Sequence, residues 1–284
     1  MGNFSVLNNI AALYAQNKLG ITSNSLTRTI TRLSSGYRIN SGADDAAGLM
    51  IADTLRANVR ALDQSVRNCN DCISVGQIAD SALSEMTNIL TRTITLAEEA
   101  ATETVDDTGR QSLNMEYTEI QAEIARIAEQ TNFNGVQLFT SAGIDGSLSV
   151  YVGDIFASSS IAVSIATITT SGETVTDLGG QDLSSIDLTT QAGAVASMSV
   201  IKDALIAVAS MRGELGAGMN RLQSAVSVME NQSLNTQSAE STIRDADMAE
   251  EISSLTKYQI LTQTGIAALS QANASKQAIL GLMQ

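Results

Sequence analysis

Residues 33–53 read LSSGYRINSGADDAAGLMIAD, a polar, proline-free stretch with Gly36 and Gly42 set between two segments of helical spacing. The Asp44-Asp45 pair stands directly before an Ala-rich run. Ser41, Asp44 or Asp45 can accept hydrogen bonds from the unpaired N–H groups of a helix start, and a carboxylate also suits the positive end of its dipole. The stretch reads as a joint between two helices.

On its N-terminal side, Leu7 to Leu33 is weakly amphipathic. Leu7, Ile10, Leu13, Tyr14, Ile21, Leu26, Ile30 and Leu33 form a narrow stripe among Asn, Thr and Ser. Such a helix needs a partner to be stable. On the other side Leu55, Val59, Leu62, Val66, Cys69, Ile73 and Gly76 step by four and three, and the pattern resumes in another phase at Leu83, Met86, Leu90, Ile94 and Ala97. This is the spacing of a coiled-coil seam. The polar break TETVDDTG ends it at Thr102 to Gly109, and Leu113, Tyr117, Ile120, Ile124, Ile127 and Thr131 predict a shorter helix packed antiparallel to its predecessor.

From Asn132 the character changes. Asn134-Gly135 is a turn dipeptide, and Val136 to Phe139 with Ser147 to Val152 alternate like two arms of a hairpin. Residues 157–190, rich in Ser, Thr and Gly, read as irregular strands and loops at the surface. Helical spacing returns from Thr190 with Met198, Ile201, Leu205, Val208, Leu215, Met219, Leu222, Val226 and Met229, loosened by Gly213, Gly216 and Gly218. A break at Arg244 to Asp247 precedes a last helix, where Ile252, Leu255, Gln259, Thr262, Ile266, Leu269, Asn273, Lys276, Leu280 and Met283 keep a heptad. The chain goes out and comes back, so its two marginal ends are expected side by side. The fold class is mainly α: long antiparallel helices, with the terminal segments as a coiled coil and a small β-hairpin and loop region in the middle.

Composition narrows function sharply. There is no histidine, tryptophan or proline among 284 residues. Without proline, very long helices are allowed. Without histidine, Ser-His-Asp and Cys-His mechanisms are excluded, and so is the commonest metal ligand. The net charge of −14 argues against nucleic acid as a partner. Residues 1–40 and 255–284 together carry six cations and no acid, which leaves −20 to the middle. No run of 18 apolar residues occurs, so no membrane insertion is expected, and the N-terminus has no basic region before its apolar part, unlike an ordinary secretory signal.

Cys69 and Cys72 match C-x-x-C, a redox or half-metal-site spacing. With no second pair and no histidine, zinc would need Asp71 or other acids. Cys69 holds a seam position, where a buried thiol acts as a small hydrophobe. Packing is the first reading, a redox-active or filament-linking thiol the second, with Cys72 at the seam's edge the more reactive of the two. The pairs Glu98-Glu99 and Asp106-Asp107 read as solvated surface, and Arg212 to Gly218 lacks the Lys-Ser/Thr ending of a phosphate loop. Neither catalysis nor a cofactor is expected.

LSSGYRINSGADDAAGLMIAD, VRNCNDCISVGQIADSALSEM, TNFNGVQLF, IDLTTQAGA and IRDADMAEEISSLTKYQILTQTGIAALSQAN, in that order and at these separations, resemble bacterial flagellin over nearly the whole chain. The resemblance implies a secreted structural protein, exported by the flagellar type III apparatus, that forms a homopolymer, the flagellar filament. By that analogy residues 1–38 and 247–284 pair as the inner coiled coil, with Leu26, Ile30, Leu33, Ile252, Leu255, Ile266, Leu269 and Leu280 in its seam. Residues 39–246 form an outer helical rod, with the hairpin and loops at about 132–190 and no large outer domain. Arg32, Arg38, Asp44, Asp45, Arg244, Asp245 and Asp247 fall at the spoke between them, where Arg32 and Arg38 are expected to face Asp44, Asp45 or a neighbouring subunit's acids. The resemblance further implies an export chaperone on the C-terminal segment, filament cap and hook-associated proteins as neighbours, and a Toll-like receptor epitope of vertebrate hosts at Arg92, Leu96 and Glu116. Its two cysteines stand where the family usually has small residues. A hook-filament junction protein is the alternative reading, since it shares the terminal helices.

Overall fold

The computed structural model describes residues 9–140, 143–144, 146–155, 158–171 and 174–281, leaving aside the side chains at 158 and 276–281. Among the described residues five long helices carry the chain: α1 (Ile10–Ser35), α2 (Ala46–Ala101), α3 (Asp107–Gln130), α4 (Gln191–Arg244) and α5 (Met248–Gly281). Between α3 and α4 lie β1 (Asn132–Phe133), β2 (Val136–Gln137), β3 (Ser147–Gly153), β4 (Ser158–Ser164), β5 (Ile168–Ser171), β6 (Thr174–Leu178) and a 3-10 turn at Leu183–Ser185. The chain divides into two compact units: one holds both ends, up to Ala57 and from Asn235, and the other is Asn58–Leu234. These bounds lie further from the termini than the expected 38 and 247.

The unit Asn58–Leu234 has a core built on one unbroken heptad in α2. Asn58, Leu62, Ser65, Cys69, Cys72 and Gly76 are all buried, and the same alternation of four and three runs on through Ala79, Leu83, Met86, Leu90, Thr93, Ala97 and Ala100. The expected change of phase does not occur. Val59, Val66 and Ile73 are only half-buried, while the positions beside them carry Asn58, Ser65 and Cys72 and face inward. Their polarity is met locally. Ser65 Oγ donates to the Gly153 carbonyl at 3.0 Å, and Asn58 Oδ1 accepts from the Ile155 N–H at 3.4 Å. Polar seam positions thus fix where the end of β3 sits on the helix, satisfying buried groups that would otherwise cost about 1–3 kcal/mol each.

Three two-stranded antiparallel sheets occur among the described residues: β1-β2, β3-β4 and β5-β6. Asn134 and Gly135 both have positive φ, 51° and 80°, the conformation a tight two-residue hairpin turn needs. That turn joins Asn132–Phe133 to Val136–Gln137, so the expected pairing of 136–139 with 147–152 is wrong. Ser147–Gly153 pairs instead with Ser158–Ser164, Val150 opposite Ile161.

Residues 157–190 also contribute more than surface loops. Val163, Ile165, Ile168, Val175, Leu178, Leu183 and Leu188 are buried, joined to the helices through one continuous apolar cluster. Tyr117 of α3 donates its hydroxyl to the Leu183 carbonyl at 2.5 Å, and Asn114 Oδ1 accepts from the Leu188 N–H. Gly218 of α4 lies under Val163, where an added Cβ would stand 2.8 Å from Cγ1. This glycine is a close-approach point, whereas Gly213 and Gly216 face open space. By length and composition α4 would suit a membrane span. Its buried Ile201, Ala204, Val208 and Leu222 belong instead to the core.

Candidate functional site

The site is built from the two ends of the chain. Asn9 caps α1 by accepting the Ala12 N–H at 3.1 Å, and its amide donates to the Ala272 carbonyl of α5 at 3.1 Å. At the opposite end of α1, Arg32 Nη1 meets Glu251 Oε1 at 3.3 Å. The helices are therefore antiparallel neighbours. Ala12, Ala15, Leu19, Thr22, Leu26, Thr29 and Leu33 face Glu251, Leu255, Tyr258, Thr262, Gly265, Leu269 and Ala272, each set stepping by three and four. Gly265 receives Leu19, whose Cδ1 would lie 3.1 Å from an added Cβ.

This seam is smaller and more polar than the expected one. Leu26, Leu33, Leu255 and Leu269 are half-buried in it. Ile30, Ile252 and Ile266 are not: they are 50%, 52% and 55% exposed, on faces turned away from the partner helix. Ile10, Leu13, Tyr14, Ile21, Ile260 and Leu261 are exposed as well. The side chain of Leu280, like Leu7 and Met283, lies outside the described residues. An open groove of about 380 Å³ between α1 and α5 is lined by Tyr14, Leu19, Leu261 and Ala268, with Lys18 Nζ 5.5 Å from the Tyr14 ring centre.

The joint closes the same unit. Gly36, left-handed at φ 77°, ends α1 and donates its N–H to the Arg32 carbonyl. Tyr37 and Asp245 then form an antiparallel bridge, with the Arg38 N–H on the Arg244 carbonyl at 2.7 Å and the Ala246 N–H on the Gly36 carbonyl at 2.9 Å. Outgoing and returning chains are thus stitched through their backbones. Each expected charge has a definite role. Asp44 Oδ2 accepts from the Ser41 hydroxyl at 2.9 Å and from the N–H groups of Ser41 and Asn40. The Ser41 hydroxyl, chiefly, holds the Asp44 carboxyl below its ordinary range. Asp45 accepts the Gly48 N–H at 2.9 Å at the start of α2, and Asp247 accepts the N–H groups of Ala249 and Glu250 at the start of α5. Asp245 accepts from the Ser241 hydroxyl.

The cations are paired otherwise than expected. Arg32 makes its ion pair with Glu251 and acts on Asp44 only as a nearby charge that helps to lower its carboxyl, while Arg38 donates through Nη2 to the Ile243 carbonyl at 2.7 Å. Arg244 is packed over Tyr37. Both aspartates are already committed to turn and cap hydrogen bonds, and short local loops close before a longer-range partner is reached. Sequence reasoning missed Tyr37, Asp53 and Glu251. Glu251 had a visible signal, since it sits four residues before Leu255 in the inward-facing heptad.

In the unit Asn58–Leu234, Arg92 and Glu116 pair on the surface at 2.7 Å, while Leu96 is 0% exposed. Leu96 is a core residue and offers nothing to an external receptor. Cys69 and Cys72 are both buried free thiols. Burial raises both, and it pushes Cys72, aided by the neighbouring Cys69, up to about 11. Cys72, expected at the seam's edge, is 5% exposed and lines a groove together with Leu148 and Tyr151 of β3. Asp106 caps α3 through the Gly109 N–H, as befits a turn residue, and no cluster of metal-ligating side chains occurs among the described residues.

Comparison with known proteins matches residues 6–143 to the bacterial flagellin N-terminal helical region and residues 198–283 to the bacterial flagellin C-terminal helical region. Flagellin of Halalkalibacterium halodurans is 37% identical over 283 residues, covering 97% of this chain and 98% of the relative. The flagellar filament 31.3 kDa core protein of Treponema maltophilum is 34% identical over 284 residues, with the same coverage. Among solved structures, a putative flagellar hook-associated protein from Vibrio parahaemolyticus superposes with a TM-score of 0.57 at 16% identity, over 71% of this chain and all of that one, a likeness of fold.

Proposed function

The chain belongs to the bacterial flagellin family and is a structural subunit of the flagellar filament, and from that premise we propose that the outward apolar faces of α1 and α5 are where copies of the chain pack on one another. The carrying observation is the division of labour at the ends. The helices pair through Leu19, Leu26, Leu33, Leu255 and Leu269 interleaved with Ala, Thr, Gly and Tyr258, while Ile10, Ile21, Ile30, Ile252, Ile260 and Ile266 point outward.

Burying one such side chain contributes about 1.5–3 kcal/mol, whereas ordering each residue costs about 1–2 kcal/mol of backbone entropy. The narrow α1–α5 seam offsets little of that cost alone, so the ends are stabilised when neighbouring copies cover the remaining faces. Folding of the ends is then coupled to assembly, and a head-to-tail contact repeated without closure gives an open helical polymer. Deleting residues 250–284 should leave a soluble helical monomer that does not polymerise onto filament seeds. Filaments formed by that truncation would refute the reading.

The rest of the reading follows the family. The protein acts as a structural subunit rather than an enzyme, it is secreted through the flagellar export apparatus into the extracellular filament, and an export chaperone holds the segment from Asp247 onward. Cap and hook-associated proteins are its neighbours at the filament ends. A Toll-like receptor epitope on this chain uses the exposed Arg92 and Glu116.

A further inference from the structure

We propose that Cys69 and Cys72 are a thiol pair closed to oxidants in the folded chain and open in the unfolded one, so that a Cys69–Cys72 disulfide made before folding blocks assembly of the α2 seam. The two residues occupy consecutive inward positions of the unbroken heptad and are 0% and 5% exposed. Cys72 lies at the floor of a groove walled by Asn68, Phe133, Leu148 and Tyr151. In this setting the thiol raised to about 11 has its thiolate fraction at neutral pH cut by about a hundredfold relative to an ordinary cysteine. The unfolded chain has neither protection.

Geometry makes the oxidised form incompatible with the seam. Residues three apart on a helix hold their Cβ atoms about 5–6 Å apart, while a disulfide requires about 3.5–4.5 Å. The bond therefore draws the helix out of shape at the centre of the heptad, beside Gly76, whose space is filled by Met219 of α4. The chemistry needs a small-molecule disulfide of the oxidised-glutathione class. One cysteine thiolate attacks it to form a mixed disulfide and expels one thiolate; the second cysteine thiolate then attacks that bond and expels the other. The chain loses two electrons and two protons, and the oxidant leaves as two thiols.

The test uses the full chain. Thiol titration with an aromatic disulfide reagent should proceed at least about a hundredfold more slowly in the folded protein than in concentrated urea. The chain is then treated with oxidised glutathione in urea, freed of reagent and returned to buffer. It should regain less helix and melt at a lower temperature than the reduced chain, and reductant should restore both. The variant Cys69→Ala/Cys72→Ala should be indifferent to the treatment. Equal thiol reactivity folded and unfolded, or an oxidised chain with unchanged helix content and melting, would overturn the proposal. Exclusion of the oxidised chain from filaments rests on the filament reading. Failure of the reduced chain to polymerise would sink that reading alone, because the melting comparison stands without it.

Discussion

The guanidinium of Arg244 lies over the ring of Tyr37, 4.3 Å from its centre, with Asp53 3.6 Å and Glu240 3.9 Å from Nη1. A flat cation between an aromatic face and two carboxylates fastens the returning chain to the outgoing one. Arg244→Lys keeps the charge and loses the planar stacking. It should lower the stability of the joint by about 1–2 kcal/mol, read by thermal disassembly of filaments, whereas Tyr37→Phe keeps the ring and should change little. Equal behaviour of the two variants would show that the stacking contributes nothing.

Glu251 is buried and is the ion-pair partner of Arg32, whose Nε is also buried and lacks a hydrogen-bond partner. Glu251→Ala removes the acid that makes an ion pair with this arginine while leaving the helices otherwise intact. Filament stability should fall by about 1–2 kcal/mol, and the loss should shrink in high salt. A salt-independent loss of the same size would assign the effect to packing instead.

Acid sensitivity follows from Asp44. Its carboxyl is held below the ordinary range, first by the Ser41 hydroxyl and then by backbone N–H groups. A carboxylate whose folded value is depressed contributes stability above the unfolded value, and that contribution is lost as pH falls through the folded one. Ser41→Ala removes the largest of these stabilising hydrogen bonds. Titration of Asp44 followed by NMR should move upward in the variant, with the turn's loss of order beginning at higher pH. An unchanged titration would remove the hydroxyl from this account.

Two glycines of α4 should respond with opposite sign. At Gly218 an added Cβ meets Val163 at 2.8 Å, so Gly218→Ala should destabilise the monomer by about 1–3 kcal/mol. At Gly213 nothing lies within 4 Å, so Gly213→Ala should stabilise the helix by about 1 kcal/mol through its higher helix propensity. Chemical denaturation of the monomers compares them directly.

Leu96 and Arg92 differ in what their loss means. Leu96→Ala opens a cavity in the core and should cost about 2–5 kcal/mol. Arg92→Ala breaks an exposed pair and should cost no more than about 1 kcal/mol. If a vertebrate receptor reads this surface, Arg92→Ala should weaken signalling at unchanged melting temperature, and an effect confined to Leu96→Ala would trace to unfolding.

Much of this protein was legible in its residues. Periodicity found the long helices, Gly36 with the Asp44-Asp45 pair and the break at Arg244 to Asp247 marked the joint, and the motifs at both ends pointed to the family. Those features are local: a cap or a heptad is written within a few neighbouring positions, and the absence of proline lets α2 run unbroken for 56 residues.

Tertiary structure decided which stripe faces inward and which strands meet. Three-and-four spacing fits two adjacent stripes equally well on one helix, and choosing the more apolar one placed Ile30, Ile252 and Ile266 in a seam that Thr29, Glu251 and Gly265 occupy. Thr29 and Gly265 let the two helices approach between the seam's leucines, while the isoleucines face outward. The same logic seated Asn58 and Ser65 in the α2 core, because β3 reaches them with hydrogen-bonding groups from residues about ninety positions away. Strand pairing was misread as well: alternation marked Ser147–Gly153 as a strand, and its partner is the strand that follows it, Ser158–Ser164, rather than 136–139. Sequence by itself determined that the chain is helical, where it turns and what family it belongs to. The fold alone determined which faces are consumed within one chain and which stay exposed.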